Sequence, residues 1–284
     1  MPHRLTWLDV FTSRPLTGNG LAVVHHADGI DDATMLAFAR ETRLSETTYV
    51  QTATEAGADY RNRIWTIVGE LSFAGHPSLG TAVAVAAARD EREAHYVQQT
   101  PAGLQPIDVE LGANGIARAS MLQEPATFGP EVEAARVFPA LGLDPADEHP
   151  ELPPQVASTG NPMFLVPVRD AEVLNRARPQ AEPLGELLGE LGAVCAYLVS
   201  PDADHEAAQA RSYFMTGELV AEDPATGSAA GPLCAYLHER TGAARVEIEQ
   251  GVAMGRPSRI VCEAGERVRV AGDVVLLADG ELDL

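Results

Sequence analysis

Two segments of this 284-residue chain read as helices with almost no polar face. A helix that is apolar on every side has to be buried on every side. The first runs from Gly75-His76-Pro77-Ser78-Leu79-Gly80-Thr81 into AVAVAAA, the second from Asp223-Pro224-Ala225-Thr226-Gly227-Ser228-Ala229-Ala230 into GPLCAYL. One lies in each half of the chain, so each half has to wrap its helix in other elements. The flanking segments alternate or run apolar over short lengths, as strands do. The fold class that follows is α+β, with two similar domains, each a central helix wrapped by strands.

Strands are expected at 5–11 and 20–24 around a Thr17-Gly18-Asn19-Gly20 turn, then at 47–52, 62–67, 95–99, 107–110 and 116–121. A helix is expected over 31–41, where an acidic start precedes Met35, Leu36 and Phe38. From Gln123 to Gln155 the chain turns proline-rich and acidic, with a short amphipathic helix near 131–141, a composition that suits an interdomain connection. The second half restarts at STGNPMFLVPV, where Gly160-Asn161 precedes an apolar strand as Gly18-Asn19 does near the beginning. A helix over 181–191 and strands at 193–199 and 210–214 follow. The repeated order suggests duplication, with domains at 1–122 and 123–284.

Composition removes several function classes. All 20 basic residues are arginine; there is no lysine for a pyridoxal aldimine, a Schiff-base aldolase or a P-loop. Cys195, Cys234 and Cys262 show no ligand spacing, and read as buried thiols in a reducing compartment. His25-His26 lacks further ligands, and no HExxH occurs, so neither a metal nor an organic cofactor is expected. The net charge of −21 repels nucleic acid and anionic membranes. The first residues lack the apolar core of a signal peptide, and no stretch is long enough to span a bilayer, which points to a cytoplasmic protein. The same charge repels small anions, so an anionic substrate needs locally positive potential.

The two helix starts can supply it. The first N–H groups of a helix lack intrahelical partners, and its dipole favours negative charge there. Glycine admits close approach, and Pro77 suits the first turn because it has no N–H to lose. Two such ends facing one cleft would grip a carboxylate; ordinary capping is the alternative for either loop alone. Pro232 is expected to delay the second helix or bend it.

These segments resemble those of the PhzF-like family of phenazine-biosynthesis-like proteins, which share the diaminopimelate epimerase fold. The matching runs are DVFTSRPLTGNGLAVV, LSETTYV, ELSFAGHPSLGTAVAV, STGNPMFLVPV, AEDPATGSAAGPLCAYL and QGVAMGRPSRI, in family order from end to end. The resemblance implies that each domain is a β-barrel-like sheet around its central helix, with an active site between the domains, a homodimer, and a last strand free to return to the first domain. It implies a cofactor-independent isomerase that moves a proton along a cyclic diene bearing a carboxylate. By the same resemblance Glu46, His76 and Asp223 are catalytic, and Gly75, His76, Gly227 and Ser228 bind the substrate carboxylate.

The residue types suit those roles. Glu46 begins an apolar strand and shares its face with Thr48 and Val50; an inward carboxylate there loses solvation, which raises its pKa. His76 can cap a helix or relay a proton, Asp223 precedes a proline as a turn residue does, and Arg256 in GRPS suits an ion pair or an anion. Three alternatives stay open. A two-thiol racemase or epimerase needs a cysteine in each helix-start loop, and these read AGHPS and DPATGS. A dehydratase begins with the same proton abstraction, and a non-catalytic carboxylate binder needs only the helix starts.

Overall fold

The computed structural model describes residues 2–284. The chain divides into two compact units, Met1–Leu122 with Ala271–Leu284, and Gln123–Val270.

Unit 1 is a closed barrel. Its strands are β1 (His3–Val10), β2 (Asn19–Val24), β3 (Glu46–Gln51), β4 (Tyr60–Trp65), the short β5 (Glu70–Leu71), β6 (Glu93–Thr100), β7 (Gly103–Leu111), β8 (Ile116–Leu122) and the chain's last strand, Arg269–Leu282. Pairing runs β1–β2–β3–β4–β6–β7–β8, and the last strand joins β8 back to β1, so eight strands close a ring. Closure leaves no free sheet edge. Outside it lies helix α1 (Asp32–Thr42), capped by Asp31, whose carboxylate accepts from the Thr34 N–H.

Helix α2 (Gly75–Arg89) fills the ring; every residue from Gly75 to Ala86 is buried, and it touches all the ring strands from β1 to β8. Gly80 is what lets it in. A Cβ there would sit 2.6 Å from Leu21 and 2.8 Å from Leu8 and Val10, closer than carbon atoms pack. Strand β3 is buried on both faces. Tyr49 turns outward and donates to the Met35 carbonyl of α1, whereas Thr48 turns inward to hydrogen-bond Thr81 of α2 at 2.8 Å. Glu46 shares the Thr48 face by strand periodicity, so this bond fixes how Glu46 is presented to α2.

Unit 2 again sets a sheet against one long helix. Its strands are β9 (Thr127–Glu131), β10 (Gln155–Ser158), β11 (Pro162–Pro167), β12 (Cys195–Pro201), β13 (Ala207–Thr216), β14 (Leu219–Asp223), β15 (Arg245–Gln250) and β16 (Ser258–Glu263). They pair β9–β10–β11–β12–β13–β15–β16, with β14 hairpinned onto β13. Helices α3 (Ala134–Val137), α4 (Ala171–Arg176) and α5 (Ala181–Leu191) lie along the way, and α6 (Gly227–Thr241) touches β10, β11, β15 and β16. No helix of the described residues is long and apolar enough to cross a membrane.

Two expectations change. The proline-rich segment 123–155 is no connection but part of unit 2: β9 pairs with β10, and Val132, Val137, Phe138 and Leu141 join Leu184 and Leu188 of α5 in the core. Of the two effects expected of Pro232, the delay does not occur; the helix begins at Gly227 and runs through the proline. The ring removes one N–H beyond the first turn, a local cost that complete burial of the surrounding turn offsets.

Candidate active site

In unit 1 the backbone brings Glu46, Gly75 and His76 to one place. Helix α2 starts at Gly75 behind Ala74, which is extended (φ −149°, ψ 143°) and has no side-chain atom able to cap. Pro77 carries no N–H, and the Ser78 hydroxyl turns back to the Ala74 carbonyl at 2.8 Å. The Gly75 and His76 N–H groups thus receive no capping side chain, and the positive end of the helix dipole is not neutralised by one.

His76 is 4% exposed, and burial pushes its imidazole down to about 3, so it is neutral at ordinary pH. Asn19 Nδ2, at the start of β2, lies 3.2 Å from Nδ1. With the amide donating, Nδ1 accepts and the ring proton sits on Nε2. Nε2 in turn lies 3.3 Å from Glu46 Oε2, close enough to interact but not aligned as a hydrogen bond. Glu46 is 16% exposed. A neutral imidazole N–H beside a carboxylate can steady either protonation state of that carboxyl, and such contacts tighten when substrate arrives.

In unit 2 Asp223 ends β14, and Gly227 and Ser228 form the first turn of α6. Thr226 occupies the N-cap position, yet makes no capping bond. Its hydroxyl instead reaches Asp223 Oδ2 at 2.5 Å, while Gln250 holds the loop from the other side. Gln123 fixes the first turn from below. Its Nε2 donates to the Gly227 carbonyl at 2.9 Å, and its Oε1 accepts from Thr159 at 2.5 Å. Gly231 admits this amide, since a Cβ there would lie 1.8 Å from Gln123 Oε1.

Asn19, Thr226, Gln250 and Gln123 were not legible as site residues. Asn19 stands in the TGNG turn and Gln250 opens QGVAMGRPS, both visible as motifs, but the partners they serve are remote in sequence. The main chain of Arg256 closes the turn from Gly251, with its N–H on the Gly251 carbonyl. The three thiols take no part in either helix start. All are buried, and burial pushes those of Cys195 and Cys234 up to about 12 and that of Cys262 well above its usual range. Unit 1 contains no cysteine at all. His25 is bound to Thr6 at 2.9 Å, and no cluster of three potential metal-binding side chains occurs among the described residues.

A family model for phenazine biosynthesis-like proteins, PhzC-PhzF, matches residues 8–280. The chain belongs to this family. It is 34% identical to a trans-2,3-dihydro-3-hydroxyanthranilate isomerase of Pseudomonas aeruginosa, over 98% of each chain. Among solved structures, a predicted epimerase from the same species aligns with a TM-score of 0.86 at 38% identity, over 99% of both chains. A PhzF-family phenazine biosynthesis protein from Bacillus anthracis aligns at 0.87 with 25% identity over the whole of both. The named relatives of this PhzF-family chain are isomerases, and the two solved structures share its α+β architecture.

Proposed function

We propose that this PhzF-family protein is an isomerase that moves a proton near the carboxylate of a small, cyclic carboxylic acid, with Glu46 as the acid/base. The observation that carries the reading is Glu46 Oε2 at 3.3 Å from Nε2 of a buried, neutral His76, beside a helix start that no side chain caps. Glu46 takes a proton from carbon, and the C–H electron pair moves into the conjugated system. The proton on that carboxyl exchanges with solvent, and the carboxyl then delivers a proton to another carbon and returns to carboxylate. The substrate gains and loses no electrons and its proton count is unchanged, so the step needs no redox partner, and it is read as running without a metal or organic cofactor. His76 donates from Nε2 to the carboxyl or to charge developing on the substrate.

By the family resemblance, carboxylate binding is assigned to Gly75 and His76 in unit 1 and to Gly227 and Ser228 in unit 2, with Asp223 as the third catalytic group. Local positive potential at these helix starts answers the repulsion of a chain with net charge −21. The same charge disfavours nucleic acid and anionic membranes as partners, the buried thiols suit a reducing cytoplasm, and the family resemblance supports a homodimer.

The test uses the substrate named for the Pseudomonas aeruginosa relative, trans-2,3-dihydro-3-hydroxyanthranilate, in heavy water without added metal or cofactor. Conversion with deuterium entering a ring carbon is expected. If neither this compound nor other cyclic carboxylic acids exchange a carbon-bound proton, the isomerase reading fails.

A further inference from the structure

We propose that Gln250 is a positioning residue for Asp223: its buried amide aims the Thr226 hydroxyl at Oδ2 of Asp223, fixing that carboxylate in one orientation as a hydrogen-bond acceptor. The inference rests on reading Asp223 as a residue of the reaction.

The geometry leaves the amide one way round. Gln250 is fully buried at the end of β15. Its Oε1 lies 3.1 Å from the Thr226 N–H and 2.9 Å from the Tyr197 hydroxyl, and Nε2 lies 2.7 Å from the Asp223 carbonyl and 3.0 Å from Thr226 Oγ1. A backbone N–H can only donate and a carbonyl can only accept, so the oxygen must face Thr226 N and the nitrogen Asp223 O. Two donors and two acceptors are then all matched, the full capacity of a carboxamide. The consequence falls on Thr226. Its Oγ1 receives one N–H from Gln250, and its own proton points to Asp223 Oδ2 at 2.5 Å. A hydroxyl that accepts is polarised to donate more strongly, so the bond to a charged carboxylate gains by cooperativity.

The arrangement also explains a missed cap. Threonine is a good N-cap residue, and here it makes no capping bond because its hydroxyl is committed elsewhere. An ordinary turn would use Thr226 on the helix; this one uses it on Asp223.

The experiment is a carbon-13 NMR titration of the Asp223 carboxyl in the full chain, in wild type, Gln250→Leu, Thr226→Val, Thr226→Ser and the double variant Gln250→Leu/Thr226→Val. Losing a hydrogen bond that favours the ionised form raises the midpoint, and about one pH unit is expected in each of Gln250→Leu and Thr226→Val. The double variant should move it no further than either single one, because both act through the same bond. Thr226→Ser keeps the hydroxyl and should keep the midpoint. An unmoved midpoint in folded Gln250→Leu, or additive shifts in the double variant, overturns the inference. Should Gln250→Leu fail to fold, Thr226→Val against Thr226→Ser decides, and equal midpoints for these two overturn it. Asp223→Asn separates the premise from the inference. Moved midpoints together with wild-type turnover in that variant would refute the role given to Asp223, and with it any part for Gln250 in the reaction.

Discussion

The two helix starts reach the same open state by different means. At α2 the N-cap position holds Ala74, which has nothing to cap with, and the neighbouring Ser78 turns back on the Ala74 carbonyl. At α6 the N-cap position holds Thr226, which could cap, but Gln250 and Asp223 take up its hydroxyl. The chemistry beside each end differs as well. Unit 1 sets a carboxylate against a neutral imidazole oriented by one carboxamide, Asn19; unit 2 sets a carboxylate against a hydroxyl oriented by another, Gln250. An open helix start is thus not a default in this fold. Capping residues are favoured by about 0.5–2 kcal/mol, so leaving both ends uncapped carries a stability cost.

The largest stability effect that sharpens the comparison comes from the glycines that let each helix in. Gly80→Ala drives a methyl into Leu8, Val10 and Leu21, side chains that can shift, and overpacking of that kind costs about 1–3 kcal/mol. Gly231→Ala meets the Gln123 amide, which cannot move without breaking its bonds to Gly227 and Thr159, so it should cost more. Urea unfolding of both variants checks this, and a milder Gly231→Ala would remove Gln123 as the clamp on α6.

Acid should weaken unit 1 next. His76 and His25 in unit 1 are held neutral by burial, at about 3 and about 4, below the 6.5 of a free imidazole. The unfolded chain therefore binds protons that the folded one refuses as pH falls below 6.5. Stability is full above that value, declines towards pH 4, and is lost further to about pH 3. Both tryptophans, Trp7 and Trp65, lie in unit 1, so denaturant midpoints followed by tryptophan fluorescence should fall between pH 7 and pH 4.5. A flat midpoint would mean that these histidines are not buried neutral.

How much of this was legible beforehand follows from the range of the interactions. The apolar helices announced themselves, because burial on all sides is written in one continuous segment. Strands such as β2 and β4 and helices α1 and α5 lie where pattern and turn residues put them, within a few positions. Segment 123–155 misled because its prolines and acids dominate the composition. The residues that bury it, Val132, Val137, Phe138 and Leu141, are spread out, and β9 finds its partner β10 only across an intervening turn of chain. The supporting amides were illegible for the same reason. Asn19 and His76 are 57 positions apart, and Gln123 and Gly227 are 104 apart, so no local pattern joins them.

A smaller effect isolates the missing cap in unit 1. Ala74→Ser offers α2 the side chain it lacks. The variant should be more stable by about 0.5–2 kcal/mol in thermal or urea unfolding, and should bind the substrate carboxylate more weakly, with KM rising while kcat holds. If stability rises with no change in KM, the carboxylate does not use that helix start. The smallest effect expected is that of the thiols. Cys195→Ala, Cys234→Ala and Cys262→Ala should each leave turnover within about twofold wherever the fold survives, since a buried thiol with a raised pKa is not a thiolate at neutral pH. Loss of turnover in one folded cysteine variant would favour a thiol racemase.

The most direct test of the central claim is the rate of solvent deuterium exchange into substrate by Glu46→Gln, beside wild type. The amide keeps the size of the side chain and its place opposite His76, but cannot take a proton from carbon. Substrate should still bind, and exchange should fall by about 10²–10⁴-fold, the usual contribution of a general base. Exchange at close to the wild-type rate in a folded Glu46→Gln would contradict the account, because the proton would then travel by another group.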